Sequence, residues 1–364
     1  MSRIVIRGGR VVTPIEERFT DVMIEDGTIQ SLGTIDEKAS DSITIDASGC
    51  FVTPGLIDLQ VNGAPSCNFW GNPTLSDVEN FAEELVKSGV TTILPTLITD
   101  DLEHLRKNID FLEKQVGVGN LQHGKLPVRM PGIHLEGPFL SPERPGVHPK
   151  QHIKPLSVDA VKQIASAAVK LVTCAPETDA GGEALSELRA RGIEVALGHS
   201  NATYEEAMAA FDRDVKLMTH TYNALPPIHH RAPGAVTAAL LDNRVMCCLI
   251  CDGHHVSPPA AELVLRTKGI KRTILVTDVA SVGTSQGGLV GASILLDEAV
   301  RNVVKWGIAS FSDAIMMSTL NPAKAMGWDK SIGSIAQGKL ADIVVWEQKS
   351  LRVLHVVAGG KKVV

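Results

Sequence analysis

No block of lysine and arginine and no basic stripe appears in this chain, and its formal net charge is −6 with a pI near 6.1. A surface that gathers nucleic-acid phosphates needs clustered positive charge, so that class of partner is set aside. The pair Lys361-Lys362 reads as a solvated tail. No apolar run reaches the roughly 20 residues of a membrane-spanning helix. The first residues, Met1 to Arg7, alternate like a strand and do not form the apolar core of a signal peptide. A paired cysteine framework is missing too: Cys50, Cys67, Cys174, Cys247, Cys248 and Cys251 lie scattered in apolar contexts. That usage suits a reducing compartment, and a cytoplasmic protein is expected. Cys248-Leu-Ile-Cys251 has zinc-knuckle spacing, but there is no second such pair, and Val245 to Ile250 reads as a buried strand. No internal repeat or low-complexity segment is visible.

What is present is a chain of 364 residues, 44% hydrophobic and 21% charged, large enough to bury a sizeable core and too large for one minimal domain. Its organising stretch is Pro131 to Phe139, where an apolar run ends in Glu136 before a Gly-Pro loop, the mark of a buried strand ending in a carboxylate. Two later runs end likewise, Ile193 to Leu197 before Gly198-His199-Ser200 and Val215 to Met218 before Thr219-His220-Thr221. One His at a strand end is more often hydrogen-bonded structure than a ligand. A Glu and two His in the same topological place, with Asp278 ending a fourth strand, instead suggest one divalent metal held by oxygen and nitrogen together.

Short strands open the chain at Ile4 to Arg7, Val11-Val12, Asp21 to Glu25, Ile43 to Asp46 and Cys50 to Thr53, the spacing of a small β-domain. From Pro54-Gly55 the rhythm becomes strand, loop, helix. Strands are expected at Leu56 to Gln60, Thr91 to Pro95, the Glu136 strand, Lys170 to Cys174, the two His-ended strands, Val245 to Cys251 and Thr273 to Thr277. Helices are expected from Leu75 to Lys87 (capped by Thr74, ended by Gly89), Asp101 to Lys114, from Val158, and Glu183 to Ala190. Eight parallel strands alternating with helices over about 250 residues make an α/β fold, a (β/α)8 TIM-like barrel whose site lies at the strands' C-terminal ends. Strand patterning returns at Ile332 to Ile335, Ala341 to Trp346, Leu354 to Val357 and Lys362 to Val364. Residues 1–53 plus 333–364 are therefore expected to form a small β-sandwich domain beside a barrel of residues 54–332.

The motifs Pro54-Gly55-Leu56-Ile57-Asp58, His134-Leu-Glu136-Gly-Pro, Leu197-Gly-His199-Ser-Asn-Ala-Thr203, Thr219-His220-Thr-Tyr-Asn223-Ala224, Cys251-Asp252-Gly253-His254-His255-Val256 and Leu275-Val-Thr-Asp278 carry a resemblance. In that order, and from first strand to last, the chain resembles the N-acetylglucosamine-6-phosphate deacetylase family of the amidohydrolase superfamily. The resemblance implies a hydrolase of amino sugar metabolism with one divalent metal on Glu136, His199 and His220. Zinc is favoured by the ligand set, with Fe2+, Mn2+ or Co2+ as other occupants. An open position on such an ion brings a water's pKa toward neutrality for attack on an amide carbonyl. Asp278 is implied as catalytic acid/base and His148 as the group that orients or polarises the acetyl carbonyl. Asn223, Ala224, Arg231 and His255 are implied as the sugar-phosphate cradle, and Leu289, Val290 and Gly291 as a substrate-contacting stretch. A homodimer is implied as well, because relatives commonly complete the phosphate site across the interface. Without the family, His148 reads as a solvent-exposed loop residue, and Arg231 reads equally well as a surface residue. His229, His230 and His254 receive no role.

Two departures stand out. Asp58-Leu-Gln60-Val-Asn62 replaces the His-x-His pair of many amidohydrolases, so a single metal is expected, with Gln60 and Asn62 as hydrogen-bonding groups. The segment Val279 to Gly288 is markedly shorter than the family's. Other readings are an amidohydrolase acting on a cyclic amide or nucleobase, which should carry that His-x-His pair, a catalytically dead barrel scaffold, which an intact ligand set disfavours, and a metal store or sensor, which one open site suits poorly.

Overall fold

The structure, a computed structural model, describes residues 3–35, 42–64, 66–122, 124–179, 181–280, 284–285 and 288–364. Of the short 279–288 segment, only 279–280, 284–285 and 288 are among them. Eight parallel strands pair in chain order: β1 (Leu56–Val61), β2 (Val90–Ile98), β3 (Ile133–Glu136), β4 (Val169–Cys174), β5 (Glu194–Leu197), β6 (Leu217–Met218), β7 (Met246–Ile250) and β8 (Thr273–Val276). They read as near-continuous apolar runs because both faces of such a sheet are covered, one by helices and the other by the barrel interior. Ile57, Leu59, Leu94, Leu171, Ala196, Leu217, Ile250, Ile274 and Val276 form one apolar cluster, and a larger one lies between strands and helices. The ring closes past the strand ends, where the Asp278 N–H donates to Gln60 O at 2.9 Å and the Asn62 N–H donates to Val279 O at 2.9 Å. That closure draws the β1 and β8 carboxyl ends together, and both carry residues of the site.

The terminal segments form two sheets with a shared core. One runs Thr28–Gly33, Asp21–Glu25, Arg3–Arg7, Ser42–Asp46, and the other Lys361–Lys362, Val353–Ala358, Ile343–Glu347, Cys50–Pro54, Arg10–Val12, Glu17–Phe19. Ile4, Ile6, Val22, Ile24, Val52, Ile343 and Val345 fill the space between them. The two ends of the chain meet in the second sheet, where Val344 pairs with Thr53 and the Trp346 indole donates to Thr53 Oγ1 at 2.8 Å.

Helix Leu75–Lys87 starts at Thr74 in a reciprocal capping box with Asp77, and Gly89 follows in the left-handed region at φ +83°. Asp101 caps its helix from outside the first turn; the helix covers Leu102–Phe111 and then widens into a π turn over Leu112–Val116. The strand expected at Ile332 to Ile335 is not formed. Gly333 turns the chain at φ +83° against Thr319 O and Leu320, where a Cβ would lie 2.9 Å from that carbonyl. In the terminal sheets two strands are not among those expected, Glu17–Phe19 and Thr28–Gly33, and four two-residue strands lie outside them, Gly63–Ala64, Cys67–Asn68, Thr284–Ser285 and Gly288–Leu289. Phe19 is 75% exposed on an edge strand, so no buried alternation marks it.

Candidate active site

Glu136 ends β3, and His199 and His220 each lie two residues beyond the end of their strand. Both histidines and Asp278 adopt left-handed backbone, with φ of +47°, +26° and +54° respectively. L-residues visit that region at a cost, and a turn this sharp directly after a strand aims each side chain into the barrel mouth. The three expected metal ligands converge there. His220 Nε2 is 2.9 Å and His199 Nε2 3.3 Å from Glu136 Oε1, and the two Nε2 atoms are 3.1 Å apart. All three residues are buried.

A backbone hydrogen bond sets what His199 offers. His199 Nδ1 faces the Arg144 carbonyl at 3.0 Å and must donate, so in the neutral ring Nε2 presents its lone pair to Glu136 and His220. The His199 lone pair thus faces a carboxylate oxygen, with His220 Nε2 beside both, an arrangement that a divalent cation resolves and an O/N/N donor set fits. Gly146 makes this packing feasible: at φ +55°, a Cβ there would stand 2.9 Å from His199 Cε1. The Glu177 carboxylate, accepting from Ser200 Oγ at 2.7 Å and Asn201 N at 2.6 Å, anchors the turn after His199.

Asp278 faces this cluster through amides. Gln60 Nε2 donates to Glu136 Oε1 and to Asp278 Oδ1, both at 2.9 Å, and Asn62 Nδ2 donates to the same Asp278 oxygen at 2.6 Å. Burial first, and the Glu136 charge second, push the Asp278 carboxyl well above its usual range. His148 is buried, not exposed on its loop. Its Nδ1 accepts from the Thr99 N–H at 3.2 Å, which fixes a neutral ring with its proton on Nε2, 3.8 Å from Glu136 Oε2. Burial lowers His148 to about 3, so the ring stays uncharged. His134, by contrast, is structural. It lies between the Leu59 carbonyl at 3.0 Å and Thr173 Oγ1 at 2.8 Å, and burial lowers its pKa to about 4.

A cleft of about 170 Å³ opens over these groups, lined also by Trp70, Asn223, Ala224, His255, Leu289 and Val290. His255 is pinned through Nδ1 to Asp252 Oδ2 at 2.7 Å, leaving Nε2 for the cleft. Two expected residues are not in the lining. Arg231 is exposed on its loop beside His230, 2.8 Å away, and Gly291 packs against the Asp278 carbonyl. The sequence reading passed over Trp70, Thr99 and Arg144. Arg144 acts through a backbone carbonyl, which leaves no trace in residue type, Thr99 acts through both its backbone N–H and its hydroxyl, 2.9 Å from His148 Nδ1, and Trp70 sits in an irregular loop. A larger cavity of about 850 Å³ lies by the N-terminal ends of the strands, near Lys87, Arg129 and Gly359. Arg129 there is tied to Thr92 and Asp342, and none of Glu136, His199 and His220 lines it. A second group of possible metal ligands, Asp100, Asp101 and His104, is accounted for by the helix cap and an Asp100–His104 contact of 2.6 Å.

A barrel with a Glu/His/His cluster and a carboxyl acid at its C-terminal mouth defines a metal-assisted hydrolase of the TIM-barrel class. Residues 51–363 match the family model described as the Amidohydrolase family. An N-acetylgalactosamine-6-phosphate deacetylase of Escherichia coli is 30% identical, over 93% of this chain and 94% of its own. An N-acetylglucosamine-6-phosphate deacetylase of Haemophilus influenzae is 31% identical over 87% and 88%. The Mycobacterium smegmatis N-acetyl-D-glucosamine-6-phosphate deacetylase, solved as a mutant with N-acetyl-D-glucosamine-6-phosphate, superposes with a TM-score of 0.89 at 28% identity, covering 100% of each chain. The chain belongs to the amidohydrolase family. No helix among its described residues is long and apolar enough to cross a membrane.

Proposed function

We propose that the protein hydrolyses the linear amide C–N bond of N-acetylglucosamine 6-phosphate, giving glucosamine 6-phosphate and acetate. The observation that carries this reading is the convergence of Glu136, His199 and His220 with Asp278, held opposite through Gln60, in one cleft. Glu136, His199 and His220 are the ligands for one divalent ion, zinc by preference, and the ion when bound supplies Lewis-acid charge that acidifies water and polarises a carbonyl. Asp278 is the acid/base. Its Oδ1 already accepts from Gln60 and Asn62, so Oδ2 receives the proton of the attacking water and passes it to the departing amine, which is too basic to leave unprotonated. Its raised pKa suits a group that must hold that proton near neutrality. Neutral His148 offers its Nε2–H to the acetyl oxygen as negative charge develops there.

Asn223, Ala224 and His255 form the part of the phosphate cradle within the cleft, with Leu289 and Val290 as wall and Gly291 behind them. Arg231 is assigned to the same phosphate, in a homodimer where the partner supplies it. We assign the protein to the cytoplasm, a reading supported by its six unpaired cysteines, and divide it into residues 1–53 plus 333–364 and residues 54–332. The test is acetate release by metal-replete protein from N-acetylglucosamine 6-phosphate, its unphosphorylated form and the galactosamine epimer. Fast release from the phosphorylated gluco sugar is expected. Equal release from the unphosphorylated sugar would sink the phosphate assignment, faster release from the epimer the sugar assignment, and no release from any the reaction.

A further inference from the structure

We propose that Trp70 is a positioning residue that fixes which oxygen of Asp278 handles the proton, acting through Asn62. The inference rests on the deacetylase reading above. An indole N–H can only donate, and Trp70 Nε1 donates to Asn62 Oδ1 at 3.2 Å. The Asn62 amide therefore has one orientation: its carbonyl faces Trp70 and its NH2 faces Asp278, 2.6 Å from Oδ1 and 3.4 Å from the backbone carbonyl. With Gln60 donating to the same Oδ1, that oxygen is committed as an acceptor. Without the indole donor, Asn62 can rotate by half a turn and present its own oxygen to Asp278. A protonated Asp278 would then give its hydrogen to Asn62 from Oδ1, the wrong oxygen, and the proton would be withheld from the amine.

Trp70 is held for this task by its loop. Gly63 (φ +136°) opens a two-strand hairpin with Cys67-Asn68, where a Cβ would fall 2.0 Å from Cys67 O, and the Trp70 N–H donates to Asn68 Oδ1 at 2.9 Å. The indole also lines the cleft, so a wall role and a positioning role must be told apart.

Trp70→Phe keeps an aromatic ring and removes the N–H. The variant should lose about tenfold in kcat for N-acetylglucosamine 6-phosphate, the worth of one buried hydrogen bond, with KM within about twofold of wild type. Metal content and thermal midpoint, measured on the same preparations, should not change. In an Asn62→Ala background the same replacement should cost less than about twofold, because a residue acting only through Asn62 has nothing left to act on. A raised KM at unchanged kcat, additive losses in the double variant, or no change at all would overturn the proposal. A lost metal or a collapsed midpoint would overturn it too, by making Trp70 a scaffold residue. Wild-type protein without turnover in this assay would instead overturn the reaction assignment, and this inference with it.

Discussion

Asp278→Asn removes one proton-carrying oxygen and leaves nearly everything else in place. Gln60 and Asn62 both donate to Asp278 Oδ1, so the carboxamide oxygen of the variant takes that position and keeps both hydrogen bonds, while its NH2 falls where Oδ2 was. The ligand atoms of Glu136, His199 and His220 do not touch Asp278 in the hydrogen-bond network except through Gln60, so metal binding should survive. What disappears is a group that can accept a proton from water and return it to the amine. Loss of general acid–base catalysis typically costs 10²–10⁴ in rate, roughly 3–5.5 kcal/mol of barrier. The assay is kcat for acetate release beside metal per chain by elemental analysis and substrate affinity by calorimetry. Turnover within about tenfold of wild type at full metal occupancy would refute the role given to Asp278.

Glu136→Gln should leave metal content well below one equivalent after dialysis and lower acetate release in proportion; full occupancy would remove Glu136 from the ligand set. Asp58 is buried and hydrogen-bonded to Thr277 and Gln60, and burial raises it to about 7. A carboxyl raised on folding favours the folded state most below its unfolded pKa, and that advantage is lost as pH rises toward about 7, at up to 1.36 kcal/mol per unit and roughly 4 kcal/mol in all. Asp58→Asn should therefore be favoured relative to wild type as pH rises from about 4 to 8 in thermal unfolding. A difference independent of pH would show that Asp58 does not change its protonation on folding.

The barrel was legible because most of its strands are largely apolar runs closed by turn residues, and because helix Leu75–Lys87 announces itself with Thr74, Asp77 and Gly89. Glu136, His199, His220 and Asp278 stood out for the same reason: residue type at a strand end is a sequence property. Ile332 to Ile335 misled because two isoleucines around Gly-Ser look like strand alternation, while the room for a turn there depends on Thr319 and Ala323, which are distant in pattern. Protonation states were beyond reach for a related reason. His148 is neutral because Thr99 offers its backbone N–H, and His199 faces inward as a base because the Arg144 carbonyl takes its other proton. The Arg144 contact does not depend on residue type, and the Thr99 hydroxyl, 2.9 Å from the same nitrogen, shows its use only once the fold brings it there.

Arg231 poses the sharpest conflict between pattern and position. The family resemblance puts it on the substrate phosphate, yet in the single chain it is exposed beside His230 and absent from the cleft lining, whereas Asn223, Ala224 and His255 are in it. Both statements hold if a loop of one protomer reaches the cleft of its partner, an arrangement a two-fold dimer repeats at both sites. Arg231→Ala should then raise KM for the phosphorylated sugar at least tenfold, since a charged hydrogen-bond pair is worth about 1.5–3 kcal/mol. A mixing experiment separates the geometries. Arg231→Ala and Asp278→Asn chains, each nearly inactive at low substrate, are denatured together and refolded at equal ratio. If the arginine acts across the interface, half of the dimers are mixed, and each has one site with an intact Asp278 and the partner's intact arginine, so about a quarter of wild-type activity should return. If Arg231 serves its own chain, no site in the mixture carries both groups, and activity should stay at the sum of the two parents.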